Sequence, residues 1–194
     1  PGIGKTEIIT KWSLDKFKEL WVNTLIHADP TDFKNIAFKR FINGTVETLL
    51  LEPDFVPPND GVPRCVFFDD LTNAPPSVIA SLSRIFKDPE HDSGRYMKSW
   101  GRSNFIIVAQ NYRSDRAVTY PLPLQIVNRM NIYDLEVSAD DWKAYAVSQD
   151  INPMVVAFVE KNPSHLLSLP KSTGEDAPYP TPRSWFAVSG FIED

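Results

Sequence analysis

The chain has 194 residues, of which 42% are hydrophobic, and its formal net charge is −5. This length predicts one mid-sized domain or a core with a small appendage, and the acidic balance argues against a general nucleic-acid binder. No apolar stretch approaches the roughly 18 residues that a membrane-spanning helix needs. The single cysteine, Cys65, excludes a disulfide framework or a zinc cluster and fits a reducing compartment, so we expect a cytoplasmic protein.

Helix-like and strand-like segments alternate along the first two thirds of the chain. In chain order we predict a helix over 6–18, a strand over 20–26, a mixed stretch over 33–62 with loops at its prolines and at Gly61, a strand over 65–68, a helix over 77–86, a strand over 105–109, a short helix over 124–129 and a strand over 130–135. The helices follow from apolar spacing and from a Pro75-Pro76 start. Two of the strands are continuous apolar runs, which are typical of a buried parallel sheet.

The character of the sequence changes near residue 137. Helices are predicted to begin at Asp140 and Pro153, residues 160–182 are rich in loop formers, and a last helix covers 185–192. The order of elements predicts an α/β layered domain over 1–136 and a small helical subdomain over 137–194.

The beginning of the chain carries the end of a phosphate-binding motif. Pro1-Gly2-Ile3-Gly4-Lys5-Thr6 supplies the second half of G-x-x-x-x-G-K-[ST], whose first glycine would lie two residues upstream of Pro1. In such a loop the backbone amides surround phosphate oxygens, Lys5 contacts the β- and γ-phosphates, and the Thr6 hydroxyl ligates Mg²⁺. The simpler interpretation is a glycine turn with an incidental lysine before a helix.

Two aspartates follow the apolar run 65–68. At the carboxyl end of a buried strand Asp69 is suited to ligate Mg²⁺ beside the threonine of the loop, and Asp70 to deprotonate a water molecule. Alternatively the two acids cap a turn. Asn111 follows the strand over 105–109 and would lie at the same edge of the sheet, where its amide could hold the attacking water; alone, it is more often a turn residue.

Arginine is the side chain that stabilises phosphoryl-transfer charge across a subunit boundary. Most arginines are solvated surface groups, so none of them counts alone. Four of the arginines downstream of the acidic pair are candidates: Arg113, Arg116, Arg129 and Arg183. Arg129 is the best placed, since it stands between an apolar helix and a predicted strand.

The ordered set of motifs resembles the MoxR-like branch of the AAA+ ATPases. It consists of the loop ending in Lys5-Thr6, then Phe68-Asp69-Asp70-Leu71 with Asn73-Ala74-Pro75-Pro76-Ser77, then Ala109-Gln110-Asn111, then Asn128-Arg129-Met130, then Thr181-Pro182-Arg183-Ser184-Trp185. The resemblance implies a P-loop NTPase core with a parallel sheet and a small helical lid. It also implies ATP and Mg²⁺ as cofactors.

The resemblance assigns roles to these residues. Lys5 and Thr6 match Walker A, Asp69 and Asp70 match Walker B, and Asn111 matches sensor 1. Arg129 matches the arginine finger and Arg183 matches sensor 2, while residues 93–102 match the hairpin before sensor 1. Such proteins usually form rings, often hexamers, and are thought to remodel protein partners, often with a protein that carries a von Willebrand factor A domain.

Two departures from the family pattern qualify this expectation. Asp70 stands where the superfamily usually has Glu, so its carboxylate reaches about 1 Å less far, a displacement that can cost roughly a hundredfold in rate. The strand that feeds the phosphate loop in this family would precede Pro1, so we expect residues 1–194 alone to fold poorly. The short side chain of Asp70 makes a nucleotide-dependent switch with weak hydrolysis an alternative to an ATP-hydrolysing ring motor. A P-loop kinase is a less favoured alternative, because unrelated activities share the P-loop fold.

Overall fold

The computed structural model of the chain describes residues 2–33, 36–42, 45–51, 57–58, 60–83, 86, 103–111, 119–168 and 178–193. The chain divides into two compact units. One unit is Thr6–Asn131, and the other combines Pro1–Lys5 with Ile132–Asp194. Among the described helices, none is long and apolar enough to cross a membrane.

The unit Thr6–Asn131 contains a parallel sheet. The strands of the chain are β1 (Glu19–Thr24), β2 (Ile36–Ile42), β3 (Thr45–Leu51), β4 (Arg64–Asp69) and β5 (Asn104–Val108). Strands β1, β4 and β5 form a three-stranded parallel sheet in that order, with Thr24 opposite Asp69 and Phe68 opposite Val108. The prediction of an α/β fold with a parallel sheet is therefore confirmed at this level.

Strand β4 lies between the other two strands of the sheet, and its side chains over 65–68 are apolar on both faces. Cys65, Val66, Phe67 and Phe68 are all fully buried, and burial of each large apolar side chain stabilises the fold by about 1.5–3 kcal/mol. Helix α1 spans Lys5–Lys16, α2 spans Pro76–Leu82 and α3 spans Leu124–Val127. The core of this unit consists of Leu25, Val66, Phe68, Leu71, Ala74, Val78, Ile79, Leu82 and Ile126.

The amino end of β4 is held by a buried guanidinium. Arg64 is 4% exposed, and its Nε donates to Glu19 Oε2 at 2.6 Å. Its Nη1 and Nη2 donate to the two carboxylate oxygens of Asp60 at 2.6 and 3.0 Å. These hydrogen bonds from Arg64 hold the pKa of Asp60 well below its usual range, and they lower the pKa of Glu19, to which Trp21 also donates. Arg64 thus joins β1, the turn before β4 and β4 itself.

Strands β2 and β3 lie in the stretch 33–62, which the sequence left as mixed and to which no strand was assigned. They pair antiparallel, with Ile36 opposite Leu51 and Ile42 opposite Thr45. The register leaves two residues of the sequence between the strands, Asn43-Gly44, and this dipeptide strongly favours a two-residue hairpin turn. The dipeptide is therefore the sequence signal that could have predicted this hairpin.

The prediction of a strand over 130–135 is wrong. Residues 131–138 adopt no regular secondary structure. The side chains of Ile132 and Tyr133 are 59% and 87% exposed. Strand propensity alone does not produce a strand, because a strand also needs a neighbour for its backbone hydrogen bonds, and among the described residues no strand pairs with this segment.

The second unit is helical. It contains α4 (Ala139–Ser148), α5 (Pro153–Lys161) and α6 (Pro182–Glu193), so the helices predicted near 140, 153 and 185 are confirmed. Ser138 Oγ caps α4 by accepting from Asp141 N–H at 3.2 Å. Trp185 and Phe186 of α6 pack against the hydrophobic core of this unit, which consists of Trp142, Ala146, Val155, Val156, Val159 and Leu166.

Candidate functional site

The carboxyl ends of β4 and β5 are joined beyond their last paired residues. Ala109 N–H donates to the Phe68 carbonyl at 2.9 Å, and Leu71 N–H donates to the Ala109 carbonyl at 3.3 Å. These hydrogen bonds extend the pairing past Asp69. Side chains that follow the two strands are consequently held at one edge of the sheet, as parallel packing requires.

Thr6 and Asp69 meet at this edge. Thr6 lies in the first turn of α1, and its Oγ1 donates to Asp69 Oδ2 at 2.7 Å although the residues are 63 positions apart. The other carboxylate oxygen of Asp69 accepts from the N–H of Asp70 at 3.0 Å. Both side-chain oxygens of the first aspartate are therefore oriented by hydrogen bonds.

Asp70 adopts a backbone conformation that few side chains tolerate. Its φ of 57° and ψ of 40° lie in the left-handed region, where Asp and Asn are the most accepted residues after Gly. Asn111 Nδ2 donates to Asp70 Oδ1 at 3.4 Å. The structure thus brings together Thr6, Asp69, Asp70 and Asn111, four of the residues singled out from the sequence.

The oxygen atoms at this edge fit the requirements of Mg²⁺. Magnesium takes oxygen ligands at about 2.0–2.1 Å in an octahedron, so adjacent ligand atoms lie about 2.9 Å apart. The separation of 2.7 Å between Thr6 Oγ1 and Asp69 Oδ2 is that of the hydrogen bond between them, and it leaves both oxygens within reach of one ion. A threonine hydroxyl and a carboxylate leave the other coordination positions to water and phosphate oxygens, which is the usual arrangement for this ion. Thr6 and Asp69 are therefore suitable magnesium ligands.

The loop before α1 has the backbone conformation of a glycine-dependent turn. Gly2 and Gly4 have φ values of 74° and 88°. A Cβ atom on Gly4 would meet nothing within 4 Å, so Gly4 is required by its backbone angle and not by space. Lys5 begins α1, which places the positive end of this helix at the loop. Glycines before a helix start are the arrangement that binds phosphate in nucleotide-binding loops.

The loop also contacts α6, which the sequence analysis did not foresee. Arg183 N–H donates to the Gly2 carbonyl at 3.1 Å, while the Arg183 side chain is exposed. Thr181 is 8% exposed, and a Cβ atom on Gly2 would lie 2.9 Å from its Oγ1. The available signal was Thr181-Pro182-Arg183-Ser184, a capping sequence in which Thr181 and Ser184 are three residues apart.

The remaining candidates are distributed as follows. Arg129 is exposed at the end of α3, where its Nη1 donates to the Gln125 carbonyl at 2.5 Å. Ile3 is half-buried between the two glycines of the loop. Several candidates lie outside the described residues: Pro1, Arg113, Arg116 and the segment 93–102.

Comparison with known proteins finds similarity among solved structures alone. No protein-family model matches the chain, and no curated protein matches it. Among solved structures, the chain is similar to a protein from Cytophaga hutchinsonii described as a "putative ATPase", with 16% sequence identity and a TM-score of 0.46. The match covers 100% of this chain and 51% of that protein, so the chain spans about half of its length. A TM-score below 0.5 does not establish a common fold, so we base the functional argument on the site itself.

Proposed function

We propose that the chain is the nucleotide-binding part of an ATP-hydrolysing AAA+ protein of the MoxR-like branch, with Mg²⁺ as its metal. The observation that carries this proposal is the 2.7 Å hydrogen bond from Thr6 to Asp69. These residues are the threonine of a Walker A sequence and the first aspartate of a Walker B sequence. A glycine turn with an incidental lysine would not require its threonine to meet an aspartate 63 positions away at the end of a buried strand.

Each residue has a defined task in this proposal. The amides of Gly2–Lys5 and the ammonium group of Lys5 bind the phosphates of ATP. Thr6 and Asp69 hold Mg²⁺, which neutralises charge on the β- and γ-phosphates. Asp70 accepts a proton from the attacking water, and Asn111, which hydrogen-bonds the same carboxylate, orients that water. Arg129 of a neighbouring subunit and Arg183 stabilise the charge that develops on the γ-phosphate.

Assembly and biological role extend the same proposal. The resemblance supports a ring, often a hexamer, in which ATP lies between subunits. It also supports chaperone-like remodelling of protein partners, with a von Willebrand factor A protein as the candidate partner. Sedimentation of the full-length protein with and without ATP tests the ring, and co-purification with such a protein tests the partner.

The decisive test of nucleotide binding is the Lys5→Ala variant of the full-length protein. We expect ATP binding and turnover to fall together, because the ammonium group contacts the phosphates in both states. Lys16→Ala is the matched control, since Lys16 lies on the same helix in its last turn and is exposed. Unchanged turnover of Lys5→Ala would refute the assignment of the loop.

A nucleotide-dependent switch with weak hydrolysis is the second candidate. It is favoured by the short side chain of Asp70 and by the hydrogen bond that its carboxylate receives from Asn111. This candidate predicts tight binding of ATP with slow turnover. A P-loop kinase is the third candidate, and it predicts full activity in a monomer that does not depend on Arg129.

A further inference from the structure

The first turn of α6 uses the phosphate loop as part of its cap. The first N–H groups of a helix have no acceptor within the helix. In α6, Pro182 has no N–H, and Ser184 N–H donates to Thr181 Oγ1 at 3.1 Å. The remaining group of this turn, Arg183 N–H, donates to the carbonyl of Gly2 at 3.1 Å. The Gly2 carbonyl therefore completes the cap that Thr181 begins.

The Thr181 side chain has a fixed position against the loop. Its own N–H donates to Ser184 Oγ at 2.8 Å, so the two residues cap each other. A Cβ atom on Gly2 would lie 2.9 Å from Thr181 Oγ1, a distance that real Cβ atoms essentially never show, and 3.0 Å from Thr181 Cβ, which is also tighter than most real contacts. Thr181, which is buried and doubly hydrogen-bonded, thus leaves no room for a side chain at Gly2.

We propose that Thr181 is a positioning residue for the phosphate loop: through the capped first turn of α6 it holds the Gly2 peptide in the conformation that binds the phosphates of a nucleoside triphosphate. This inference deepens the proposed function and rests on it. Thr181 need touch neither phosphate nor metal. It acts through one hydrogen bond, from Arg183 N–H to Gly2, and through one steric contact.

The cap of α6 and ligand binding at the phosphate loop stabilise each other, because linkage between two equilibria is reciprocal. Gly2 accepts from Arg183 N–H only while its carbonyl points toward α6. A ligand that binds the loop in this conformation therefore protects the first turn of α6. Conversely, loss of the cap allows the Gly2 peptide to rotate and weakens ligand binding.

The test uses three variants in the full-length protein. Thr181→Val keeps the shape of the side chain and removes the hydroxyl that caps Ser184, whereas Thr181→Ser keeps the hydroxyl. Ser138→Ala is the matched control, because Ser138 caps α4 in the same unit by the same kind of hydrogen bond. Amide hydrogen exchange of residues 2–5 without nucleotide reports on the loop. The Kd for MgATP and the separate values of KM and kcat report on nucleotide binding by the loop and on catalysis.

We expect Thr181→Val to accelerate exchange in residues 2–5 and to raise the Kd and KM for MgATP roughly fivefold, the effect of losing one helix cap, with little change in kcat. Thr181→Ser should restore both values. Ser138→Ala should lower the melting temperature to a similar extent and leave loop exchange and Kd unchanged.

Equal loop exchange in Thr181→Val and Ser138→Ala would overturn the positioning role. If Thr181→Val does not fold, Ser184→Ala removes the hydroxyl that accepts from Thr181 N–H and should produce the same changes with smaller size; its failure to do so would also overturn the role. A wild-type protein that binds no MgATP would refute the proposed function, while loop exchange would still decide whether Thr181 positions Gly2.

Discussion

Asp70 is under two constraints that favour different side chains. Its left-handed backbone favours Asp or Asn, whose short side chains hydrogen-bond locally, over longer side chains. Activation of a water molecule favours a carboxylate with sufficient reach. Asp satisfies the backbone constraint, but its short side chain satisfies the second constraint only in part. Substitutions at this position separate the two constraints.

Asp70→Asn removes the base and retains the backbone preference. We expect the turnover of ATP to fall by about 10²–10⁴-fold, the usual contribution of a general base, while MgATP binding and the melting temperature stay near those of the wild type. Asp150→Asn is the control, because Asp150 also has a positive φ, of 54°. Turnover and calorimetric binding of both variants provide the measurement, and undiminished turnover of Asp70→Asn would remove Asp70 from the mechanism.

Asp70→Glu lengthens the side chain and strains the backbone. If the short reach of Asp70 limits hydrolysis, turnover should rise, by as much as about a hundredfold for 1 Å of improved position. The melting temperature should fall by about 2–4 °C, because the left-handed conformation costs about 1 kcal/mol more for Glu. Asp150→Glu should show the same fall in melting temperature without a change in turnover. A turnover that does not rise would count against the switch hypothesis, which attributes slow hydrolysis to this residue.

At the level of elements, the sequence predicted correctly those helices and strands whose patterns are local. The buried run Val66-Phe67-Phe68 and the helix after Gly4 were predicted correctly, because fully apolar strands and helix starts have strong sequence patterns. The meeting of Thr6 with Asp69 followed from the phosphate-loop motif and the acidic strand end, and the position of Asn111 beside the acidic pair followed from the rule that parallel strands end at one edge. The contact of α6 with Gly2 could not be predicted, because the capping sequence that begins at Thr181 marks the start of a helix and not its partner. Thr181 packs against a glycine 179 positions away, and Arg183 N–H donates to the backbone carbonyl of that glycine.

The Arg64 cluster leads to a prediction about pH. Because the pKa values of Asp60 and Glu19 are lowered in the folded chain, their contribution to stability is fully present above their ordinary values near 4 and is lost as the pH falls further. Arg64→Met should therefore lower the melting temperature at pH 7, and its difference from the wild type should shrink toward pH 3. A difference that is constant between these pH values would contradict the assigned cause.

A matched control for Arg64→Met is available on the helical unit. Lys143 Nζ forms an ion pair with Glu160, and both side chains are well exposed. Exposed pairs of this kind contribute little to stability. Lys143→Met should accordingly change the melting temperature much less than Arg64→Met. That result would show that burial, and not the loss of a positive charge, produces the effect.

At the scale of the whole molecule, the question is whether one chain supplies every group of the proposed site. Residues 6–131 contain the acidic edge with its threonine, and the exposed Arg129 at the end of α3 belongs to the same unit. In the proposed ring this arginine would serve the site of a neighbouring subunit, so one chain would supply the base and its neighbour the positive charge. In a P-loop kinase no second chain would be needed.

Mixing of variants distinguishes these two possibilities. Arg129→Ala should lower turnover by about 10³-fold or more if the arginine acts on the γ-phosphate, and Asp70→Asn should also be nearly inactive. When the two variants are mixed in equal amounts, activity should return to about a quarter of the wild-type value, because one interface in four combines an intact Asp70 with an intact Arg129 from the next subunit. Mixing Arg129→Ala with the double variant Asp70→Asn/Arg129→Ala is the control and should restore nothing, since no subunit then supplies the arginine. Full activity of Arg129→Ala alone, or no recovery in the first mixture, would contradict a site shared between subunits.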